Sequence, residues 1–141
     1  MKRYWIMFVV LIAVVSTQAA TQTKQTPEKI AQQAAESWLE LVDSSKYDES
    51  WDEAASAFKA AVSKEDWKAA IQAARSPLGN KKTRKLKEAK YTKSIEGAPE
   101  GEYVVIQYES SFEKQDQVTE SVTQMLDRDG KWRASGYFIL K

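Results

Sequence analysis

The sequence predicts an α+β domain in which three N-terminal helices pack on a four-stranded antiparallel sheet. Three observations carry that expectation. Apolar residues recur with a helical period as far as Arg75 and with an alternating period from Lys81 onward, so helices and strands are segregated along the chain. The connections within the alternating part are short, which suits a meander of neighbouring strands. The last two alternating segments flank Arg128-Asp129-Gly130, a turn signal for a closing hairpin. Helices are expected on one face of the sheet, while the other, carrying Thr, Ser, Glu and Lys, can stay wet.

The chain of 141 residues opens on Met1-Lys2-Arg3, an apolar run from Tyr4 to Val15, and Ser16-Thr17-Gln18-Ala19-Ala20. Charge, apolar run and small-residue region follow the order of a secretory signal peptide. The apolar run is shorter than the roughly 20 residues that span a bilayer comfortably. Residues 1–19 are therefore expected to be removed after Ala19, leaving a polar tether over 20–26 and a single α+β domain over 27–141. A periplasmic or secreted location follows, with membrane contact only through the signal peptide before cleavage.

Thr26-Pro27 starts the first helix as N-cap and first helical residue. Ile30, Ala34, Trp38, Leu41 and Val42 form its expected stripe, with Glu36, Glu40 and Asp43 off it, and it should end near Asp43. Asp48 begins a second helical pattern in which Trp51, Ala54, Ala55, Phe58 and Val62 share a face, with a bend near Ser56. Ser63 caps a third helix from Lys64 to Arg75, which turns Trp67, Ala70, Ile71 and Ala74 inward. Pro77-Leu78-Gly79-Asn80 stops it.

Lys81 to Lys93 forms the first strand, where Leu86 is out of phase with Ala89 and Tyr91, so a bulge is expected between them. Its basic residues are expected to pair with the acids of the next segment across the sheet. Glu102 to Phe112 is the second strand, with Val104, Ile106, Tyr108 and Phe112 on one face. In the closing hairpin a three-residue loop pairs Asp127 with Lys131 and segregates the faces best. It collects Val118, Val122, Leu126, Trp132, Ala134, Gly136, Phe138 and Leu140 on one side. Thr119, Ser121, Thr123, Arg133, Ser135 and Tyr137 lie on the other. Glu120 and Gln124 are the two misfits on the apolar side.

Cys and His are both absent. Thiolate nucleophiles, disulfides, Cys/His zinc sites and Ser-His-Asp triads are thereby excluded, and no cofactor, metal site or catalytic set is expected. The formal charge of +1 becomes −1 once Lys2 and Arg3 are removed, which gives no bulk attraction to nucleic acid.

Ala35-Glu36-Ser37-Trp38-Leu39, Lys46-Tyr47-Asp48-Glu49-Ser50-Trp51, Ser63-Lys64-Glu65-Asp66-Trp67, Arg75-Ser76-Pro77-Leu78-Gly79 and Asp129-Gly130-Lys131-Trp132-Arg133 together resemble the bacterial family called domain of unknown function 4019. The resemblance implies an exported protein with a fold similar to the NTF2-like and cystatin-like group, in which a curved sheet wraps helices. It implies no activity. Ala57 stands where relatives are expected to carry Pro.

On a curved sheet, Glu120 and Gln124 are expected to line a pocket with Tyr108, Trp38 and Trp132. Burial would raise the Glu120 pKa and fit it for acid or base work, with Tyr108 as donor. The competing readings have Glu120 and Gln124 solvated near the open end of the sheet, Glu120 paired with a lysine, or Glu120 or Gln124 serving the indole N–H groups of Trp38, Trp51, Trp67 and Trp132, which belong to the core. The expected function is a non-enzymatic binding or interaction module for a small apolar ligand or a periplasmic protein. A small pocket enzyme of isomerase or hydrolase type is the alternative, and homodimerisation through the sheet a further possibility.

Overall fold

A computed structural model describes residues 23–141. The expected signal peptide, residues 1–19, lies outside the described residues. No helix among the described residues is long and apolar enough to cross a membrane.

Helix α1 spans Pro27–Asp43, and the Thr26 hydroxyl accepts from the Lys29 N–H at 3.3 Å. Its buried face is Ala31, Ala35, Trp38, Leu39 and Val42, rotated from the expected stripe, and Ile30 is left 41% exposed. Two alanines on that face let the helix lie close to the sheet, which a larger pair would prevent.

The second expected helix is two. α2 covers Tyr47–Asp52 and α3 covers Ser56–Ala61, with Ala54 and Ala55 buried between them. The break has a cause outside the segment. Ala55 N–H donates to the Ala134 carbonyl at 2.8 Å, and the Asp127 carboxylate accepts from the Ser56 N–H at 3.0 Å and from its hydroxyl. The hairpin thus supplies the cap that Ala55 cannot. Ala57 sits in the first turn of α3, a position that tolerates Pro.

Helix α4, Lys64–Arg75, is capped by Ser63, which accepts from the Asp66 N–H at 3.1 Å. It buries Trp67, Ile71 and Arg75, while Ala70 and Ala74 are exposed rather than inward. A short 3₁₀ turn, Ser76–Leu78, follows.

The sheet is an antiparallel meander of four strands in the order β1 (Lys81–Thr92), β2 (Tyr103–Phe112), β3 (Gln115–Leu126) and β4 (Trp132–Leu140). The expected irregularity in β1 falls between Leu86 and Glu88. The closing turn is the three-residue loop: Asp127 N–H meets the Lys131 carbonyl at 2.8 Å, and Gly130 takes φ +81°, which favours glycine.

Beyond Ala134 the expected alternation fails. Gln124 pairs with Ala134, but Thr123 pairs with Gly136, so one extra residue sits in β4. The bulge exchanges the faces. Tyr137 and Ile139 turn inward, and Phe138 and Leu140 lie outside, 65% and 55% exposed. The main core joins α1 and α4 to β2, β3 and β4 through Trp38, Leu39, Val42, Trp67, Ile71, Val104, Ile106, Val122 and Ala134. A smaller cluster of Leu78, Phe112, Val118 and Ile139 closes the far end.

Candidate functional site

The two polar misfits of β3 have different surroundings. Glu120 is fully buried and faces Tyr108 in register across β2. Arg84 donates to both of its oxygens, from Nε to Oε2 at 2.7 Å and from Nη2 to Oε1 at 3.0 Å. Ser110 adds a hydroxyl bond to Oε2 and Tyr137 one to Oε1, each at 2.5 Å. The same Arg84 grips Asp43 at the end of α1 at 2.7 and 2.9 Å, and Arg75 from α4 reaches Asp43 at 2.8 Å. Two carboxylates and two guanidinium groups therefore form a neutral cluster that ties α1 and α4 to β1 and β3.

This cluster reverses the expected rise in the Glu120 pKa. Burial pushes the carboxyl up, but hydrogen bonds from Arg84, Ser110 and Tyr137, together with the Arg84 charge, outweigh it and hold the pKa below the usual range. Asp43 is lowered likewise: burial raises it, and the bonds to Arg84 and Arg75 prevail. The Tyr137 phenol is pushed up by burial and by the Glu120 charge. With both carboxylate oxygens engaged by donors, the partner of Glu120 is arginine rather than lysine, and it is not exposed to a ligand.

Gln124 has no such partners. It is also fully buried, but among the described residues neither its Oε1 nor its Nε2 has a hydrogen-bond partner. The core indoles do not use it. Trp38 donates to the Ser50 carbonyl at 2.8 Å, Trp67 to the Ser50 hydroxyl at 2.9 Å, and Trp51 to the Val62 carbonyl at 2.8 Å. An unmet buried amide is costly, about 1–3 kcal/mol per group, so its position needs an explanation.

That position is in the lining of a cavity of about 510 Å³ between α1, α2 and the β3–β4 hairpin. Trp38 and Trp132 share the lining, along with Leu41 and Ala34. The mouth carries Glu49 and Asp52 from α2, Glu53 from its C-cap, and Lys131 and Arg133 from the hairpin. Two of these charges are already answered: Asp52 pairs with Lys64 at 2.7 Å, and Arg133 with Asp129 at 2.7 Å and Asp127 at 3.2 Å. Among the described residues Glu49, Glu53 and Lys131 form no ion pair.

Of the five residues expected in one pocket, the structure brings together Trp38, Gln124 and Trp132. Glu120 and Tyr108 lie apart from the cavity lining. The Tyr108 phenol is pushed up by burial, and the nearby Glu36 carboxylate adds to the shift without reaching bonding geometry. Sequence reading missed Asp43, Arg75 and Arg84. One signal was present: Arg84 is the sole arginine among the basic residues from Lys81 to Lys93, and arginine suits buried bidentate pairing where lysine does not.

The expected pairing of β1 with the acids of β2 is limited. Lys85 stands opposite Glu109 in register, yet among the described residues only Lys82 of the β1 lysines makes an ion pair, to Asp116 at 3.6 Å. β1 is a free edge, and its exposed lysines oppose pairing with another sheet, so the charge there has a protective use. Among the described residues no group of three or more candidate metal ligands comes together.

No curated protein matches the chain, and no solved structure does. Residues 34–137 match the family model described as Protein of unknown function (DUF4019), and the chain belongs to that family.

Proposed function

We propose that the protein is an exported, non-enzymatic binding module, and that the cavity between α1, α2 and the β3–β4 hairpin holds a small ligand with an apolar part. The observation that carries this reading is Gln124: a fully buried amide, unpartnered at both ends among the described residues, in the lining of a cavity walled by Trp38 and Trp132. The indole walls suit an apolar part of a ligand, while Gln124 and the charged residues of the mouth can fix its orientation. Export to the periplasm or beyond is supported by the charge, apolar run and small-residue order of residues 1–19. The NTF2-like and cystatin-like grouping belongs to the same proposal and is supported by a helical layer that precedes a four-stranded meander.

Binding is favoured over acid–base chemistry because Glu120, the carboxylate best suited by sequence to such work, has both oxygens occupied by Arg84, Ser110 and Tyr137. Native mass spectrometry of the protein purified from its own cell envelope tests the proposal. A co-purifying mass of a few hundred daltons, released on denaturation, is the expected result, since pockets of roughly 300–1,000 Å³ hold molecules of that class. A protein recovered only at its bare polypeptide mass, and silent in ligand screens, contradicts it.

A further inference from the structure

We propose that the ligand of this cavity is a short peptide with a free amino terminus and an apolar side chain. The inference rests on the binding reading above and gives it a chemical class. It starts from the one feature of a glutamine that distinguishes it from other buried polar groups. Its amide presents a donor and an acceptor side by side on one edge, as the N–H and C=O of a single residue in an extended peptide do, so the backbone edge of one ligand residue can satisfy Nε2 and Oε1 together. Both atoms of Gln124 lack a partner among the described residues; they are fully buried behind the cavity lining, so the ligand meets them once the amide turns toward the cavity.

The charges at the mouth agree with that choice. Glu49 and Glu53 are one turn apart on the same side of the α2 segment and form no ion pair among the described residues, which suits an ammonium group. Lys131, across the mouth on the hairpin, is unpaired in the same sense and suits a carboxylate. Asp52 and Arg133 are held by Lys64 and by Asp127 and Asp129, so they add no free charge. The cavity therefore offers two negative positions and one positive position at its rim, an amide within, and indole walls from Trp38 and Trp132 for an apolar side chain. A zwitterion with an internal amide matches all four. A hydrocarbon would leave both Gln124 atoms unmet and a fatty acid would leave Oε1 without a donor, while an anionic ligand would also meet the unpaired carboxylates of Glu49 and Glu53.

Calorimetric titration with L-alanyl-L-phenylalanine, its N-acetyl derivative and its C-terminal amide tests the class. The dipeptide is expected to bind, and acetylation of its amino group to weaken it by about tenfold or more, the loss of one charge-assisted hydrogen bond. In a chain carrying both Glu49→Gln and Glu53→Gln, exposed changes that leave the core untouched, the two peptides are expected to bind equally. Gln124→Met is expected to abolish binding of all three. Binding that ignores acetylation in the unaltered chain overturns the ammonium assignment, and binding that survives Gln124→Met overturns the amide assignment. If native mass spectrometry finds a bound molecule while none of the peptides binds, the peptide class fails and the binding module stands. If neither finds a ligand, both fail.

Discussion

Glu120 and Gln124 lie four residues apart on β3, both fully buried, yet removing their polarity should have opposite effects. Glu120→Gln takes one charge from a neutral cluster and leaves Arg84 and Arg75 with Asp43 alone. Breaking a buried pair by losing one partner typically costs about 3–5 kcal/mol, so chemical denaturation of this variant should show a loss of that order. Gln124→Met removes an amide that the fold itself does not satisfy. A gain of about 1–3 kcal/mol is expected, measured by the same denaturation, and a loss of stability would mean that Gln124 has a structural partner.

The cluster also sets a pH dependence. Glu120 and Asp43 have folded pKa values below their unfolded ones, so their contribution is fully present above the ordinary carboxylate range of about 3.9–4.3 and is lost as the pH falls through the folded values. Acid unfolding of the unaltered chain should therefore be steeper below that range than that of Glu120→Gln. The sequence displayed both misfits because β3 alternates cleanly, but it did not say which was paired. Arg84 is 41 residues from Asp43 and 36 from Glu120, distances over which no local pattern operates.

At the scale of elements, two features depend on contacts between segments remote in sequence. The break between α2 and α3 is held by Asp127, 71 residues from Ser56, so the helical period ran through it unmarked except for a suspected bend. Asp127→Ala should remove the cap of α3 and cost about 0.5–2 kcal/mol, with hydrogen exchange accelerated first at Lys59 and Val62, whose amides close that helix. The β4 bulge was equally hidden. Alternation assigned Phe138 and Leu140 to the core because they are apolar, while one extra residue near Ser135 turned Tyr137 and Ile139 there instead. The β1 bulge, by contrast, was legible from Leu86 falling out of phase with Ala89 and Tyr91. The difference is that β1 shows its phase change in apolar residues, whereas β4 carries apolar or aromatic residues at every position from Tyr137 to Leu140.

For the whole molecule, the order of helices before strands fixed the layer architecture and the meander, because short connections leave neighbouring antiparallel strands few other ways to pair. The candidate site arises one level higher, where α1, α2 and the hairpin converge. Its two indoles and its amide were visible as residue types, but Glu49, Glu53 and Lys131 looked like ordinary surface charges until the fold set them around one mouth. The arrangement assigns different tasks to the two ends of the sheet face: the Arg84 cluster ties the helices down, and the Gln124 cavity stays open to a ligand. A polar group that destabilises the isolated fold and yet serves binding is the expected form of a stability–function compromise.

The most direct test compares the unaltered chain with Gln124→Met, both purified from the same cell envelope and examined by native mass spectrometry. The account predicts a bound small molecule on the first and none on the second, with the second folded and at least as stable. The same molecule retained by both proteins would contradict it.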